Sequence, residues 1–392
     1  DVALGKRPVR APSRPVDLAS PMPARLAQSN VVLWGSAGIP AANSLFIPTR
    51  IAEIRADLER MRLGSVRYLT LFGHGPGVEG NDTSYIDGGR VLFKRADVHA
   101  DYAADAAGLN AVLTGQRQSE RARTLLVQVG HSGPAGSPLW GHGLTLLPAD
   151  LEPIERESGG ALVMVSGACH SGMFAKAVQC GFFAAHPDVT ASGCQLSPAA
   201  LEKSDDYLRH FFGALSGAAT ASPVAGRKRA APPATTLNDA HWYASARLED
   251  HQLSYTTTDA LVDDYFAAHL NELPPTMTAA DIVLGARELG RAEADAAAAL
   301  TAGLPPDTAI ALTGYVEANH AAEEKLADAR ELSSAERNGI MALPYKLELA
   351  LLARRVAYHA RHVDDAKYTL AATCERQTLQ QFFGGTARAG TR

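Results

Sequence analysis

Two apolar runs in this chain end in the same manner. Residues 124–133, TLLVQVGHSG, deliver His131 into a small-residue turn, and residues 161–172, ALVMVSGACHSG, deliver Cys169 into another. On neighbouring parallel strands, roughly 4.8 Å apart, the two side chains would emerge at one edge within reach of each other. A thiol and an imidazole so placed form a nucleophile–base pair. The imidazole favours the thiolate, the reactive form, and later protonates a leaving amine. Small residues beside the sulfur let a substrate backbone approach. Amides at the turns, those of Cys169 and of Ser132 or Gly133, are the candidate oxyanion donors. A cysteine taken alone is most often an inert core thiol; the joint requirement for nucleophile and base is what points to chemistry here.

Other residues compete for these roles. His74, in LFGHGPG at 71–77, also follows an apolar strand, but a simple sheet order puts a further strand between it and Cys169, so it reads as a cleft-lining residue. His142 lies beyond the active turn. His170 would point away from the nucleophile in an extended segment and reads as a loop residue. The run Gly130-His131-Ser132-Gly133 approaches the Gly-x-Ser-x-Gly elbow of serine hydrolases, with Ser132 as nucleophile, but Pro134 stands where the second glycine belongs.

The elements that must position these residues alternate in type. Apolar stretches at 30–36 (NVVLWGS), 66–73, 123–130 and 160–168 read as strands, and 48–63 spaces Ile51, Ile54, Leu58 and Met61 on one helical face, with a second helix at 106–116. Such alternation predicts a mainly parallel sheet covered on both faces, with reactive groups at its carboxyl edge. The 392 residues, 46% of them hydrophobic, are enough for a sizeable core. A net charge of -5 and 6% aromatics give no nucleic-acid footprint, and no apolar run is long enough to span a bilayer. The four cysteines, Cys169, Cys180, Cys194 and Cys374, lack zinc-ligand spacing. Cys180 and Cys194 would either pair in an oxidising compartment or remain reduced core thiols.

Residues 1–28 read as a flexible leader and 29–215 as the catalytic domain. Residues 216–236, rich in Ala, Pro, Ser and Gly, read as a linker, in which Arg227, Lys228 and Arg229 form a candidate processing site or a plain solvated stretch. Residues 237–392 are expected to form a mainly helical domain that gates activity, binds a protein partner or self-associates.

The pair VQVGHSGPAG and VMVSGACHSG, with the helical ADLEPIERE between, resembles the clan CD cysteine peptidases, relatives of caspases and metacaspases, and within them the legumain (asparaginyl endopeptidase) family in its bacterial form. GLTLLPADLEPI, AAGLNAVLTGQ and VTASGCQLSPAALEKSDDYLRHFFGAL agree, so that the likeness spans roughly residues 30–215. It implies a three-layer α/β/α sandwich and peptide-bond cleavage through a thioester, with Cys169 as nucleophile, His131 as base and no cofactor or metal. Arg50 and Asp206 fall near positions that build the first specificity pocket in legumains, the bland alternative for each being a solvated surface charge. Two departures matter: Ser132 replaces the glycine that follows the family's histidine, and Gly167 stands where relatives carry a specificity-setting carboxylate. Neither an asparagine nor a basic preference therefore transfers. The alternative from another class is a catalytically weak binding or assembly module. Compartment stays open, with a periplasmic or secreted bacterial setting favoured over the cytoplasm.

Overall fold

The computed structural model describes residues 29–77, 81–113, 122–141, 143–158, 162–191, 206–218, 234–245, 253–272, 277–301, 309–310, 343–362 and 364–384. The expected leader, Cys194, His142 and the tribasic stretch at 227–229 lie outside them.

Among the described residues the main sheet has the order β10-β9-β8-β5-β1-β2. Its centre is β1 (Asn30–Ser36), β5 (Thr124–Gly130) and β8 (Leu162–Ser166), all of whose residues are buried. That is why they read as near-continuous apolar runs: a parallel strand covered on both faces has no solvent side to mark with polar residues. β2 (Arg67–Leu71) and β9 (Cys180–Phe183) flank them, and every pairing from β2 to β9 is parallel. The last strand, β10 (Tyr255–Thr256), runs antiparallel to β9.

Helix α1 (Phe46–Arg60) links β1 to β2 and buries Ile47, Ile51, Ile54 and Leu58. The sequence pattern extends to Met61, which caps the helix and packs partly buried on the core. β3 (Asp82–Asp87) and β4 (Arg90–Arg95) form a separate hairpin, α2 (Ala106–Leu113) precedes β5, and β6 (Ser137–Pro138) pairs with β7 (Thr145–Leu146). α3 (Pro148–Ser158) crosses from β5 to β8, and a 3-10 turn (Ser171–Lys176) follows Cys169. The crossover from β1 moves one way along the sheet and that from β5 the other, so right-handed connections set α1 and α3 on opposite faces. α4 (Tyr207–Ser216) packs beside α1. The architecture is a three-layer α/β/α sandwich with a mainly parallel sheet and a mainly helical C-terminal region.

The C-terminal region consists of α5 (Leu237–Ser245), α6 (Thr257–Ala268), α7 (Ala279–Leu289), α8 (Arg291–Thr301), α9 (Leu343–Arg361), α10 (Ala366–Glu375) and α11 (Leu379–Gly384), with the short strands β11 (Met277–Thr278) and β12 (Ala309–Ile310). The spans 29–215 and 237–392 both contribute to one sheet and one apolar core. β10 completes the sheet, and Leu237, Tyr243, Tyr255, Leu379 and Phe382 belong to the same apolar core as the strands. A two-residue strand has no periodicity to read, which is why the sequence shows only a tail of helices. The alanine-rich segments do form a bundle, in which Ile282, Ala286, Ala297, Leu300, Leu349 and Leu352 pack around Trp242.

Two further ties run between the halves. Cys180 of β9 is disulfide-bonded to Cys374 of α10, 194 positions away, which corrects the expected alternatives of pairing with Cys194 or staying reduced. Deeper in, the Arg355 guanidinium is buried among Asp259, Glu293 and Glu375, carboxylates supplied by three other helices. Burial, partly offset by Arg355, pushes the Glu375 carboxyl up to about 7, and burial together with Arg355 holds the His241 imidazole down to about 3. Among the described residues no helix is long and apolar enough to cross a membrane.

Candidate active site

β5 and β8 are neighbours, and Gln128 stands opposite Ser166 in their register. His131 and Cys169 each follow that paired row by three positions, so their turns sit side by side at the carboxyl edge of the sheet. The edge is also where the strand order reverses: β1 leads to β2 on one side, while β5 and β8 lie on the other. Crevices in open α/β sheets form at such points.

The His131 turn is held by β1. Its backbone N–H donates to the Ser36 carbonyl at 2.7 Å, and its own carbonyl accepts from the Ser36 hydroxyl at 3.0 Å. Gly130, at φ +142°, makes this approach possible, because a Cβ there would lie 2.4 Å from the Ser36 oxygen. The ring is fixed by Ala42, whose backbone carbonyl lies 2.9 Å from Nε2. A carbonyl only accepts, so Nε2 carries the proton and Nδ1 of the neutral ring carries the lone pair. Burial lowers the imidazole pKa below its ordinary 6.5, with the Ala42 bond a smaller opposing effect, which keeps the ring neutral near neutral pH.

Cys169 is partly exposed and, among the described residues, the one cysteine outside a disulfide. Its sulfur lies 3.3 Å from the Ala191 amide, which donates to it, and 3.5 Å from the Ala191 carbonyl. The amide contact is open to thiol and thiolate alike, whereas the carbonyl contact requires the thiol proton. The next residue, His170, adopts a left-handed conformation at φ 54° and reverses the chain. Its amide donates to the Val189 carbonyl and its Nδ1 lies 2.9 Å from the Pro187 carbonyl, so it anchors the turn as a loop residue.

Beneath both turns lies a polar network that the sequence reading missed. The Gln128 amide nitrogen donates to the Ser36 hydroxyl at 2.9 Å and to the Ser137 hydroxyl at 2.7 Å, while its oxygen accepts from the Ser166 hydroxyl at 2.7 Å. Ser166 Oγ in turn accepts from the Ala168 amide at 3.3 Å. All four side chains are fully buried, so each must find its partners inside the protein. The signal was available: Gln128 is a lone polar residue inside TLLVQVG, and such a residue needs a partner.

The remaining candidates separate. The Gly133 amide donates to the Gly136 carbonyl at 3.0 Å and is therefore committed to a turn rather than offered to an oxyanion; Ser132 is left as the candidate donor on that side. Ser132 Oγ lies 2.9 Å from Ser137 Oγ, and β5 runs on into the β6–β7 hairpin. A serine elbow needs a strand running into a helix, so its setting is missing. His74 is exposed, in edge-to-face contact with Trp140, and its strand is separated from β8 by both β1 and β5, one strand more than the simple order implies. Arg50 and Asp206 are brought together as an ion pair, with Glu53 also on the guanidinium. At 1% exposure for the Arg50 side chain, the solvated-surface-charge alternative is overturned: α1 and α4 close over the pair. A Cβ on Gly167 would lie 2.6 Å from Cδ1 of the buried Leu208, so the space a side chain at 167 would need is filled by a leucine of α4.

No protein-family model and no curated protein matches this chain. Among solved structures, it is similar to the X-ray structure of a secreted C11 cysteine protease from Bacteroides thetaiotaomicron, with 11% identity, a TM-score of 0.31 and coverage of 67% of this chain and 70% of that one. A second structure, of a secreted C11 cysteine protease from the same organism in complex with an irreversible peptide inhibitor, is 13% identical, with a TM-score of 0.29 and the same coverage. Likenesses at this level assign no family.

Proposed function

We propose that the protein is a cysteine endopeptidase of the clan CD type. The observation that carries the reading is the shared offset of His131 and Cys169 beyond the Gln128–Ser166 row, together with the Ala42 carbonyl that leaves His131 Nδ1 as the basic nitrogen. In this mechanism Nδ1 takes the proton of Cys169, and the sulfur attacks the carbonyl carbon of the scissile peptide bond. Amides of Cys169 and Ser132 receive the developing oxyanion. The C–N bond breaks as His131 returns the proton to the departing amine, and water, deprotonated by the same ring, releases the thioester.

The legumain resemblance is narrower than this reading needs. Leu208 against Gly167 and the Arg50–Asp206 ion pair support a first-pocket preference other than that for asparagine. The Cys180–Cys374 disulfide supports an oxidising, exported setting. The C-terminal helices, several of which share the strands' core, are a structural extension of the catalytic unit and a candidate surface for partners.

The test is a peptide-library digest with wild type and Cys169→Ala in parallel, repeated after limited proteolysis within 216–236. Cleavage that disappears in Cys169→Ala and in His131→Ala is the expected result. The absence of any cysteine-dependent cleavage in both preparations sinks the peptidase and leaves the binding module.

A further inference from the structure

Among the described residues, the β3–β4 hairpin has one edge closed and one open. On the inner side, Ser84 of β3 donates its N–H to the Asn43 carbonyl at 2.8 Å and accepts from the Leu45 amide at 2.9 Å. A residue in a strand sends its N–H and C=O to the same side. Ser84 therefore makes no ladder bond to Phe93, the residue opposite it on β4, and by the same alternation Phe93 points its own N–H and C=O outward. The turn agrees: Gly88 and Gly89 both have positive φ, 54° and 77°, the two-residue type whose flanking pair, Asp87 and Arg90, is hydrogen-bonded. Arg90, Leu92 and Lys94 thus bond inward to β3, while Val91, Phe93 and Arg95 present backbone donors and acceptors at the outer edge.

The same strand exposes apolar surface. Val91 and Phe93 share one face and are 58% and 51% exposed, and all six residues of β4 are exposed. A long edge with apolar side chains is a pairing hazard that folded proteins ordinarily bury, bulge or charge. Here the charge has one sign: Arg90, Lys94 and Arg95 are on β4, which carries no acid. Asp87 and Asp82 stand opposite Arg90 and Arg95 on β3, and Lys94 faces Thr83. A second copy of β4 would bring cations against cations, which disfavours self-pairing; an extended strand bearing carboxylates is complementary.

The hairpin is also joined to the candidate active site. The segment that pairs with β3, residues 43–45, directly follows Ala42, whose carbonyl holds the His131 ring. A strand added to β4 would lie three strand spacings, roughly 14 Å, from that segment.

We propose that the outer edge of β4 is an exosite that binds an extended, acidic stretch of the protein substrate by strand addition, with Val91 and Phe93 against its apolar side chains. Main-chain bonds supply affinity and the flanking cations select the partner. Calling the occupant substrate rests on the peptidase reading; the binding itself does not.

Binding is measured by fluorescence anisotropy on full-length Cys169→Ala protein with a labelled peptide of alternating Glu and Val. A matched Lys–Val peptide and a Glu–Val peptide N-methylated at alternate amides serve as comparisons and leave the protein unchanged. The Glu–Val peptide is expected to bind at least tenfold more tightly than either. Phe93→Pro, which removes an outward N–H, and the triple variant Arg90→Glu, Lys94→Glu, Arg95→Glu are expected to lose it. Equal binding of the N-methylated peptide, or no binding of the acidic one, overturns strand addition. Appending the acidic stretch to a cleaved peptide should then lower KM with kcat little changed in wild type but not in Phe93→Pro; binding without that gain overturns the exosite. If no Cys169-dependent cleavage exists at all, the anisotropy still decides the surface, so the two failures are distinguishable.

Discussion

Replacing Gln128 by methionine tests whether the buried network sets the geometry of both turns. Methionine fills nearly the same volume, so the cavity contribution is small. What is lost is polar. Ser36 retains the His131 carbonyl as a partner and Ser137 retains Ser132, but the Ser166 hydroxyl loses the Gln128 oxygen it donates to. Two neutral hydrogen bonds at about 1 kcal/mol each and one orphaned buried donor at about 1–3 kcal/mol predict a loss of about 3–5 kcal/mol. The control is Leu125→Ala on the same strand, which removes a fully buried side chain at a comparable cost of about 2–5 kcal/mol and leaves the network whole. Urea unfolding gives the stability of each variant. The rate of iodoacetamide modification at Cys169, followed by peptide mass spectrometry, reports the turn. Gln128→Met should slow that modification about tenfold through misplacement of the pair, whereas Leu125→Ala should leave it near the wild-type rate. Equal slowing by the two variants, or a stability loss under about 1 kcal/mol for Gln128→Met, would refute the reasoning.

Three further outcomes follow from the same structure. His241 binds a proton near 6.5 when unfolded but only near 3 when folded, because of burial first and Arg355 second; stability is therefore complete above the unfolded value and falls as pH drops, by on the order of 5 kcal/mol at the lower limit. Glu375, raised by burial, acts with the opposite sign, so the measurement is the difference in Tm against pH between wild type and His241→Gln, and parallel curves would contradict the assignment. Asp206→Asn keeps the helix cap on the Arg209 amide but breaks the buried pair with Arg50, at an expected cost of about 3–5 kcal/mol in urea unfolding; the double variant with Arg50→Met should recover much of it, and additive losses would argue against pairing. Opening the 194-position Cys180–Cys374 link with Cys374→Ser should cost about 5 kcal/mol if loop entropy governs, and an unchanged Tm after reduction would show that the link contributes nothing.

Much of the candidate site was legible because its signals are local. His131 and Cys169 each end an apolar run in small residues, and a buried parallel strand that breaks into glycine marks its own carboxyl edge. The alternation of strands and helices implied the sandwich, whereas the pairing of the two chemical strands was a condition that the sheet register meets. What fixes the His131 ring was not legible, since the partner is a backbone carbonyl, at Ala42, and any residue type supplies one. Other features depend on chain closure over long distances: Arg50 with Asp206, Gly167 under Leu208, Cys180 with Cys374, and the return of β10 to the sheet edge. Periodicity and turn chemistry act over a few residues and specify elements. Which charges are buried together, and which cysteines meet, is decided only when those elements pack, because desolvation and side-chain contact are properties of the assembled core.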